Sequence, residues 1–198
     1  MPWDHGMQMD LSSLITAFTF VFLSEIGDKT QIAVIMLSSR SSPRSVIVGS
    51  MLAFFVVDGV SALIGKEALS HLPHGLIDLT CGFLFLTIGM LSILREEAPL
   101  SLKDLKASTF KAFSMVALME LGDKTQFASV ALAAGSSSPW LVLAGIMLAF
   151  SLITCSGVAL GSRLLRLLPR RQLGLLTSAL CLAFGLFFIY RASNYWAP

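Results

Sequence analysis

Charged side chains are scarce in this sequence of 198 residues, because Asp, Glu, Lys and Arg make up only 13% of it, whereas 55% is hydrophobic. A soluble domain usually carries about 25% charged residues, so the composition excludes an ordinary soluble protein. The apolar residues fall in long blocks rather than at amphipathic spacing, which indicates membrane-spanning helices. The sequence therefore predicts an all-α membrane protein that lies in a lipid bilayer.

The usual signatures of enzymes and nucleic-acid-binding proteins are also lacking. The three cysteines each lie in an apolar block, and none has zinc-ligand spacing. No run of Lys and Arg interleaved with aromatic residues points to nucleic acid. The stretch "GDKT" ends like a phosphate-binding loop but lacks that loop's upstream glycine and preceding strand. We therefore expect no enzyme activity, no nucleic-acid partner and no resident cofactor.

Six apolar blocks are each long enough to cross about 30 Å of hydrocarbon as a helix. A polar segment, 95–106, separates the first three blocks from the last three, and we expect it to be a cytoplasmic linker. This division predicts a first three-helix repeat over 11–94 and a second over 107–191. The approximate bounds of the blocks are 11–38, 44–65, 76–94, 107–134, 140–161 and 173–191.

The two halves of the chain are related by an internal repeat. The segment "EIGDKTQ" (25–31) matches "ELGDKTQ" (120–126) at six of seven positions, and "GSMLAF" (49–54) matches "GIMLAF" (145–150) at five of six. Because three spans per half is an odd number, the second half must enter the membrane from the opposite side. The predicted fold is therefore six transmembrane helices in two inverted-topology repeats, an architecture common in secondary transporters, whose sites lie near the midplane.

Lys and Arg are unevenly distributed between the two predicted sides of the membrane. The side that holds the 95–106 segment carries ten of them in its loops, whereas the side that holds both termini carries two. Cytoplasmic loops are enriched in these residues. The bias predicts that both termini lie outside.

The repeated motif places charges in the middle of apolar blocks, at a cost of about 2.5–3.5 kcal/mol for each charge. On a continuous helix Glu25, Asp28 and Gln31 share one face, because residues three apart are neighbours. Inverted symmetry lets the equivalent face of the second copy lie opposite. The residues predicted as metal ligands are Glu25, Asp28, Gln31, Glu120, Asp123 and Gln126.

The charges of the two motifs do not balance. Four carboxylates accompany only two ammonium groups, those of Lys29 and Lys124, whereas a purely structural pairing would balance. Protons or cations are the obvious compensation, and the lysines are then either counter-ions in the absence of metal or gating elements. Carboxylate and amide oxygens, with the hydroxyls of Thr30 and Thr125, suit hard ions such as Ca²⁺ and Mn²⁺ rather than zinc or copper.

Three further positions allow two interpretations each. Gly27 and Gly122 lie at the centres of their blocks, where a glycine either breaks a helix or lets neighbouring helices approach closely. Asp58 has Thr154 at the equivalent position of the repeat and so departs from its symmetry. It is either a proton carrier or a partner for a lysine.

The paired motifs "EIGDKT" and "ELGDKT" fit the pattern E-x-G-D-[KR]-[ST] and resemble those of the Golgi-type manganese/calcium transporter family. The resemblance implies exchange of a divalent cation, Mn²⁺ and/or Ca²⁺, for protons, with the metal as substrate. It implies a cation site formed by Glu25, Asp28, Glu120 and Asp123, with Lys29, Thr30, Lys124 and Thr125 as the rest of the motif.

The sequence also lacks the N-terminal extension and long acidic central loop of many eukaryotic members of that family, and its bacterial members resemble manganese exporters. We therefore expect export from a prokaryotic cell through its inner membrane. Two other functions stay open: a proton-coupled exporter of another small solute, and a non-transporting membrane scaffold or intramembrane enzyme. A homo-oligomer also stays open.

Overall fold

The computed structural model describes residues 4–39, 41–69, 71–94, 108–160 and 170–196, and all regular elements in these ranges are helical. This confirms the predicted all-α class. The predicted linker 95–106 lies outside the described residues. A π-helical turn, Phe55–Gly59, joins the third helix to the fourth without interruption. The α-helices are α1 (Asp4–Glu25), α2 (Lys29–Ser38), α3 (Pro43–Phe54), α4 (Val60–Leu69), α5 (His74–Leu94), α6 (Thr109–Glu120), α7 (Lys124–Ala134), α8 (Pro139–Leu160) and α9 (Arg170–Trp196).

Two of the described helices are long and apolar enough to cross a membrane, namely Pro43–Leu69, which runs through the π-helical turn, and Pro139–Ala159. A third candidate span results if Leu11–Glu25 and Lys29–Ser38, which meet at 71°, are counted as one bent span. The apolar stretch Gly75–Leu91 in α5 is shorter. The described residues thus provide two or three candidate spans, and the full count of six stays a prediction.

Both copies of the charged motif interrupt a helix. Helix α1 ends at Glu25 and α2 begins at Lys29, and α6 and α7 are separated in the same way. Gly27 and Gly122 each have φ of +77°, in the left-handed region that glycine adopts without steric penalty. Of the two interpretations of these glycines, the helix break is therefore the correct one.

The break changes the expected arrangement of the motif side chains. Glu25 is the last residue of α1, Asp28 is the N-cap of α2, and Gln31 lies in the first turn of α2. The expectation that these three share one face of a continuous helix is therefore wrong, because the chain turns between the first and the second. Asp123 is likewise the N-cap of α7, and neither aspartate makes a side-chain capping hydrogen bond, so both carboxylates are available to other partners.

The two halves contact each other through two equivalent helix crossings. Helix α1 packs against α8 of the other half, and its repeat equivalent α6 packs against α3. A Cβ atom placed on Gly145 would overlap the carbonyl oxygen of Leu14, and one placed on the equivalent Gly49 would overlap that of Thr109. Small residues allow such close helix approach in membrane proteins. A glycine at the equivalent position of each half therefore lets the backbones approach closely at both crossings.

Phe54 and Phe150 occupy equivalent positions of the repeat and stack on each other, with ring centroids 3.7 Å apart and ring planes inclined by 12°. Both side chains are buried. The two halves therefore contact each other through equivalent residues where α3 meets α8, one helical turn before Asp58.

Candidate cation site

The two helix breaks meet in the interior, where a lysine from each motif pairs with an aspartate from the other. Lys29 Nζ lies 2.9 Å from Asp123 Oδ1, and Lys124 Nζ lies 3.0 Å from Asp28 Oδ1. These two ion pairs are equivalent under the repeat. The structure therefore brings the two motifs together.

Lys124 lies among three carboxylates that come from both halves. Besides its contact with Asp28, its Nζ is 3.2 Å from Glu25 Oε1 and 3.5 Å from Asp123 Oδ2. Carboxylate oxygens of Glu25, Asp28 and Asp123 lie within 4.8 Å of one another. Because Ca²⁺ binds oxygen ligands at about 2.3–2.6 Å, oxygens on opposite sides of such an ion are up to about 5 Å apart. The spacing of these three groups, called the carboxylate cluster below, thus fits one divalent ion.

Glu120, the repeat equivalent of Glu25, has different partners. It accepts hydrogen bonds from Thr30 Oγ1 at 2.6 Å and from Thr125 Oγ1 at 3.0 Å, and it is fully buried. The fourth predicted carboxylate is therefore held by the two motif threonines, one from each half. The sequence could not distinguish Glu120 from Glu25, because the residues around both are nearly identical.

The two motif glutamines close the helix breaks. Gln31 Oε1 accepts a hydrogen bond from the backbone N–H of Gly27 at 2.6 Å, and Gln126 Oε1 accepts one from Gly122 at 2.8 Å. Gln126 Nε2 also donates to Ser61 Oγ at 2.9 Å. The glutamine follows the glycine by four residues because its side chain accepts this hydrogen bond at the helix break. A role of these amides as metal ligands stays a prediction.

The two lysines differ in exposure. The side chain of Lys124 is 10% exposed and that of Lys29 is 37% exposed. Each is the first residue of a helix, α2 or α7, whose positively polarised N-terminus favours nearby negative charge. The cluster therefore combines three carboxylates, one enclosed ammonium group and two helix N-termini.

Asp58 lies in the π-helical turn, close to the cluster. Its side chain is completely buried, and neither carboxylate oxygen has a hydrogen-bond partner in the described part of the chain. The charged groups of Glu120, Asp123 and Lys124 are close enough to interact with it electrostatically. Single π-helical turns are often found at functional sites, but the sequence carries no marker that would have revealed this one.

The sequence analysis did not predict a buried ion pair that lies outside the cluster. Asp78 Oδ2 lies 3.0 Å from Arg191 Nε, and the Asp78 side chain is 1% exposed. The pair joins α5 to α9. Each residue lies at one end of an apolar block, and each is the only charged residue there, so the sequence offered no spacing or repeat that would pair them.

The chain matches the model of a known protein family. Residues 13–99 and 108–196 match the model of a family described as the divalent cation/proton antiporter GDT1. The chain belongs to the GDT1 family. The resemblance carried by the two motifs is thereby confirmed, and the family is one of transporters, in agreement with the expectation that the chain is not an enzyme.

Several plant proteins are similar to this GDT1-family chain. Protein PAM71, chloroplastic, from Arabidopsis thaliana is 29% identical to it, in an alignment that covers 89% of this chain and 56% of that protein. GDT1-like protein 5 from the same plant is 30% identical, with 89% and 96% covered. GDT1-like protein 1, chloroplastic, from indica rice is 28% identical, with 86% and 59% covered.

The chain thus spans little more than half the length of the chloroplastic relatives. No solved structure matches it. The predicted location in a prokaryotic inner membrane is contradicted by PAM71 and the GDT1-like proteins 1 and 2, whose names place them in chloroplasts. That prediction relied on segments that this sequence lacks and that many eukaryotic members of the family carry. The orientation of the termini stays a prediction.

Proposed function

We propose that this GDT1-family protein transports Mn²⁺ and/or Ca²⁺ across a membrane in exchange for protons, and that the ion binds at the carboxylate cluster. The observation that carries the proposal is the convergence of Glu25 and Asp28 from one half with Asp123 from the other. Oxygen ligands of this kind suit hard divalent ions. Because the ligands come from both halves, a movement of one half against the other can open the site first to one side and then to the other.

The proposal includes six spans in two inverted repeats, with the cluster near the membrane midplane. The reciprocal packing of α1 on α8 and of α6 on α3 supports it, as does the contact of Phe54 with its equivalent Phe150. Helix breaks that meet inside the protein are typical of transporter binding sites, where irregular backbone is tolerated because it lines a cavity.

The charge of the two motifs suggests the exchange ratio. The four motif carboxylates and Asp58, against two lysines, leave three net negative charges, which one divalent ion or two protons reduce by the same amount. A metal ion requires deprotonated carboxylates, so that metal and protons compete for the same groups. We infer that one divalent ion exchanges for two protons, and that the proton gradient supplies the driving force.

Proton movement coupled to metal movement is the decisive test. In proteoliposomes that contain a pH-sensitive dye, Mn²⁺ or Ca²⁺ added outside should enter while the interior becomes alkaline, because protons leave in exchange. Protein-free liposomes provide the control, and competition between the two metals gives their order of preference. Metal entry without proton movement, with the membrane voltage clamped, would leave a channel or uniporter. No metal entry at all would favour a carrier of another solute or a scaffold.

We also propose that Asp58 carries one of the protons. A buried carboxylate without hydrogen-bond partners is costly as an anion, so Asp58 holds a proton unless a cation approaches. Asp58→Asn should therefore retain Mn²⁺ binding but move fewer protons per metal ion in the same liposome assay. The matched control is Thr154→Ser at the equivalent position of the second half, which should leave the ratio unchanged. An unchanged ratio in Asp58→Asn would assign the protons to the cluster alone.

A further inference from the structure

The structure already places a cation inside the carboxylate cluster, namely the ammonium group of Lys124. Its Nζ lies 3.0–3.5 Å from one oxygen each of Glu25, Asp28 and Asp123. The side chain is almost enclosed, with 10% of it exposed. All three contacts are of ion-pair length, so the ammonium group fills the position that the spacing of the oxygens offers to a metal.

We propose that Lys124 is a tethered substitute for the transported ion, which leaves the cluster when the metal enters and returns when the metal is released. This inference rests on the function proposed above. A divalent ion bound by the same three oxygens would lie within a few ångströms of the Lys124 ammonium group, where two positive charges repel strongly because little water screens them. The metal and the ammonium group therefore occupy the cluster in turn.

The exchange of the Lys124 ammonium group for the metal affects how tightly the metal binds and how fast it is released. Without Lys124, Glu25 and Asp28 would lose their positive partner after the metal departs, since Lys29 pairs with Asp123, and buried charges without partners are costly. With Lys124, the metal-free protein is stabilised and the bound metal has an internal competitor. Lys124 therefore weakens metal binding and speeds metal release.

The repeat supplies a matched comparison in Lys29. It occupies the equivalent position in the first motif, but its ion pair is with Asp123 at 2.9 Å, and its side chain is 37% exposed. Because more of its side chain is exposed, its ammonium group is less enclosed with the cluster than that of Lys124 and should repel a bound metal less strongly. Loss of its charge should therefore change metal affinity less than loss of the charge of Lys124.

The test is equilibrium binding of Mn²⁺ to the purified protein at fixed pH, with transport measured in parallel. Lys124→Gln should bind Mn²⁺ about tenfold more tightly or better, since it removes a positive charge in contact with the site, yet transport it more slowly because release is impaired. Lys29→Gln should show a smaller gain in affinity. A role of Lys124 in stability alone would not produce tighter binding together with slower transport.

The outcomes separate this inference from the function on which it rests. Failure of the wild-type protein to bind either Mn²⁺ or Ca²⁺ would overturn the proposed function. Wild-type binding with equal or weaker binding by folded Lys124→Gln would overturn only the role of Lys124, as would equal gains in both lysine variants.

A second variant covers the case in which Lys124→Gln does not fold. In Lys124→Ala, added propylammonium replaces the missing part of the side chain and should weaken Mn²⁺ binding, whereas the neutral analogue propanol should not. The wild-type protein should be insensitive to both compounds. Equal effects of the two compounds on Lys124→Ala, or no effect of either, would count against a tethered cation.

Discussion

Replacement of Asp28 by asparagine is expected to abolish transport of divalent cations while the protein still folds. Asparagine keeps the size of the side chain but removes a negative charge from the carboxylate cluster. The fold should tolerate this change because Lys124 retains its contacts with Glu25 and Asp123. Loss of groups that merely orient metal ligands already costs about 10–100-fold in affinity, so loss of a ligand should cost at least as much.

The measurement is Mn²⁺ uptake into proteoliposomes, together with Mn²⁺ binding to the same preparation and its elution profile on size exclusion. Glu67→Gln serves as the control, since it removes a carboxylate that is exposed on α4 and lies outside the cluster. Glu25→Gln should behave like Asp28→Asn. Uptake at the wild-type rate in either variant would show that the cluster is not the transport site.

A large loss of stability is expected when Gly145 is replaced by alanine. The new methyl group would overlap the carbonyl oxygen of Leu14 and lie about 3.1 Å from the backbone nitrogen of Phe18, so α8 would have to move away from α1. Overpacking of this kind usually costs about 1–3 kcal/mol. Here the cost should be at the upper end, because the obstructing atoms belong to backbone and cannot change rotamer.

Thermal unfolding of the purified protein in detergent should show the effect as a lowered midpoint. Gly49→Ala should cause a similar loss, because its methyl group would overlap the carbonyl oxygen of Thr109 in the equivalent crossing. Gly135→Ala is the matched control, since its nearest neighbour would be at 3.5 Å and its φ of −82° suits alanine. A stable Gly145→Ala protein, or very different losses at Gly49 and Gly145, would contradict the reciprocal packing.

The meeting of the two motifs could be predicted from the sequence because of the repeat. Two copies of "GDKTQ" are expected to adopt the same local structure, and the predicted odd number of spans per half would turn one copy against the other. The helix breaks at Gly27 and Gly122 were one of two interpretations, since a glycine alone does not decide between a break and close packing. The positive φ of both glycines shows the break, and the hydrogen bonds that Gln31 and Gln126 accept from the glycine N–H groups stabilise it.

The differences between the halves could not be predicted in this way. Glu25 and Glu120 look alike in sequence, yet one pairs with Lys124 and the other accepts hydrogen bonds from two threonines. That difference arises only from the way in which the two halves pack together. The π-helical turn at Asp58 likewise depends on packing, because the residues Phe55–Gly59 carry no breaker other than its terminal glycine. The predicted location in a prokaryotic membrane was wrong for a different reason, since it was inferred from segments that the sequence lacks and from a resemblance to bacterial members, not from the chemistry of the site.

The stack of Phe54 on Phe150 has a consequence for how the two halves depend on each other. A residue that meets its own equivalent makes an isologous contact, the kind found at the two-fold axis of a symmetric homodimer. The crossing of α1 with α8 and that of α6 with α3 are likewise two copies of one interface. The two halves thus resemble the two subunits of a homodimer. Each half has a surface that only the other half covers. A substitution at one phenylalanine therefore alters the surface against which the other must fit, so the two positions are expected to change together.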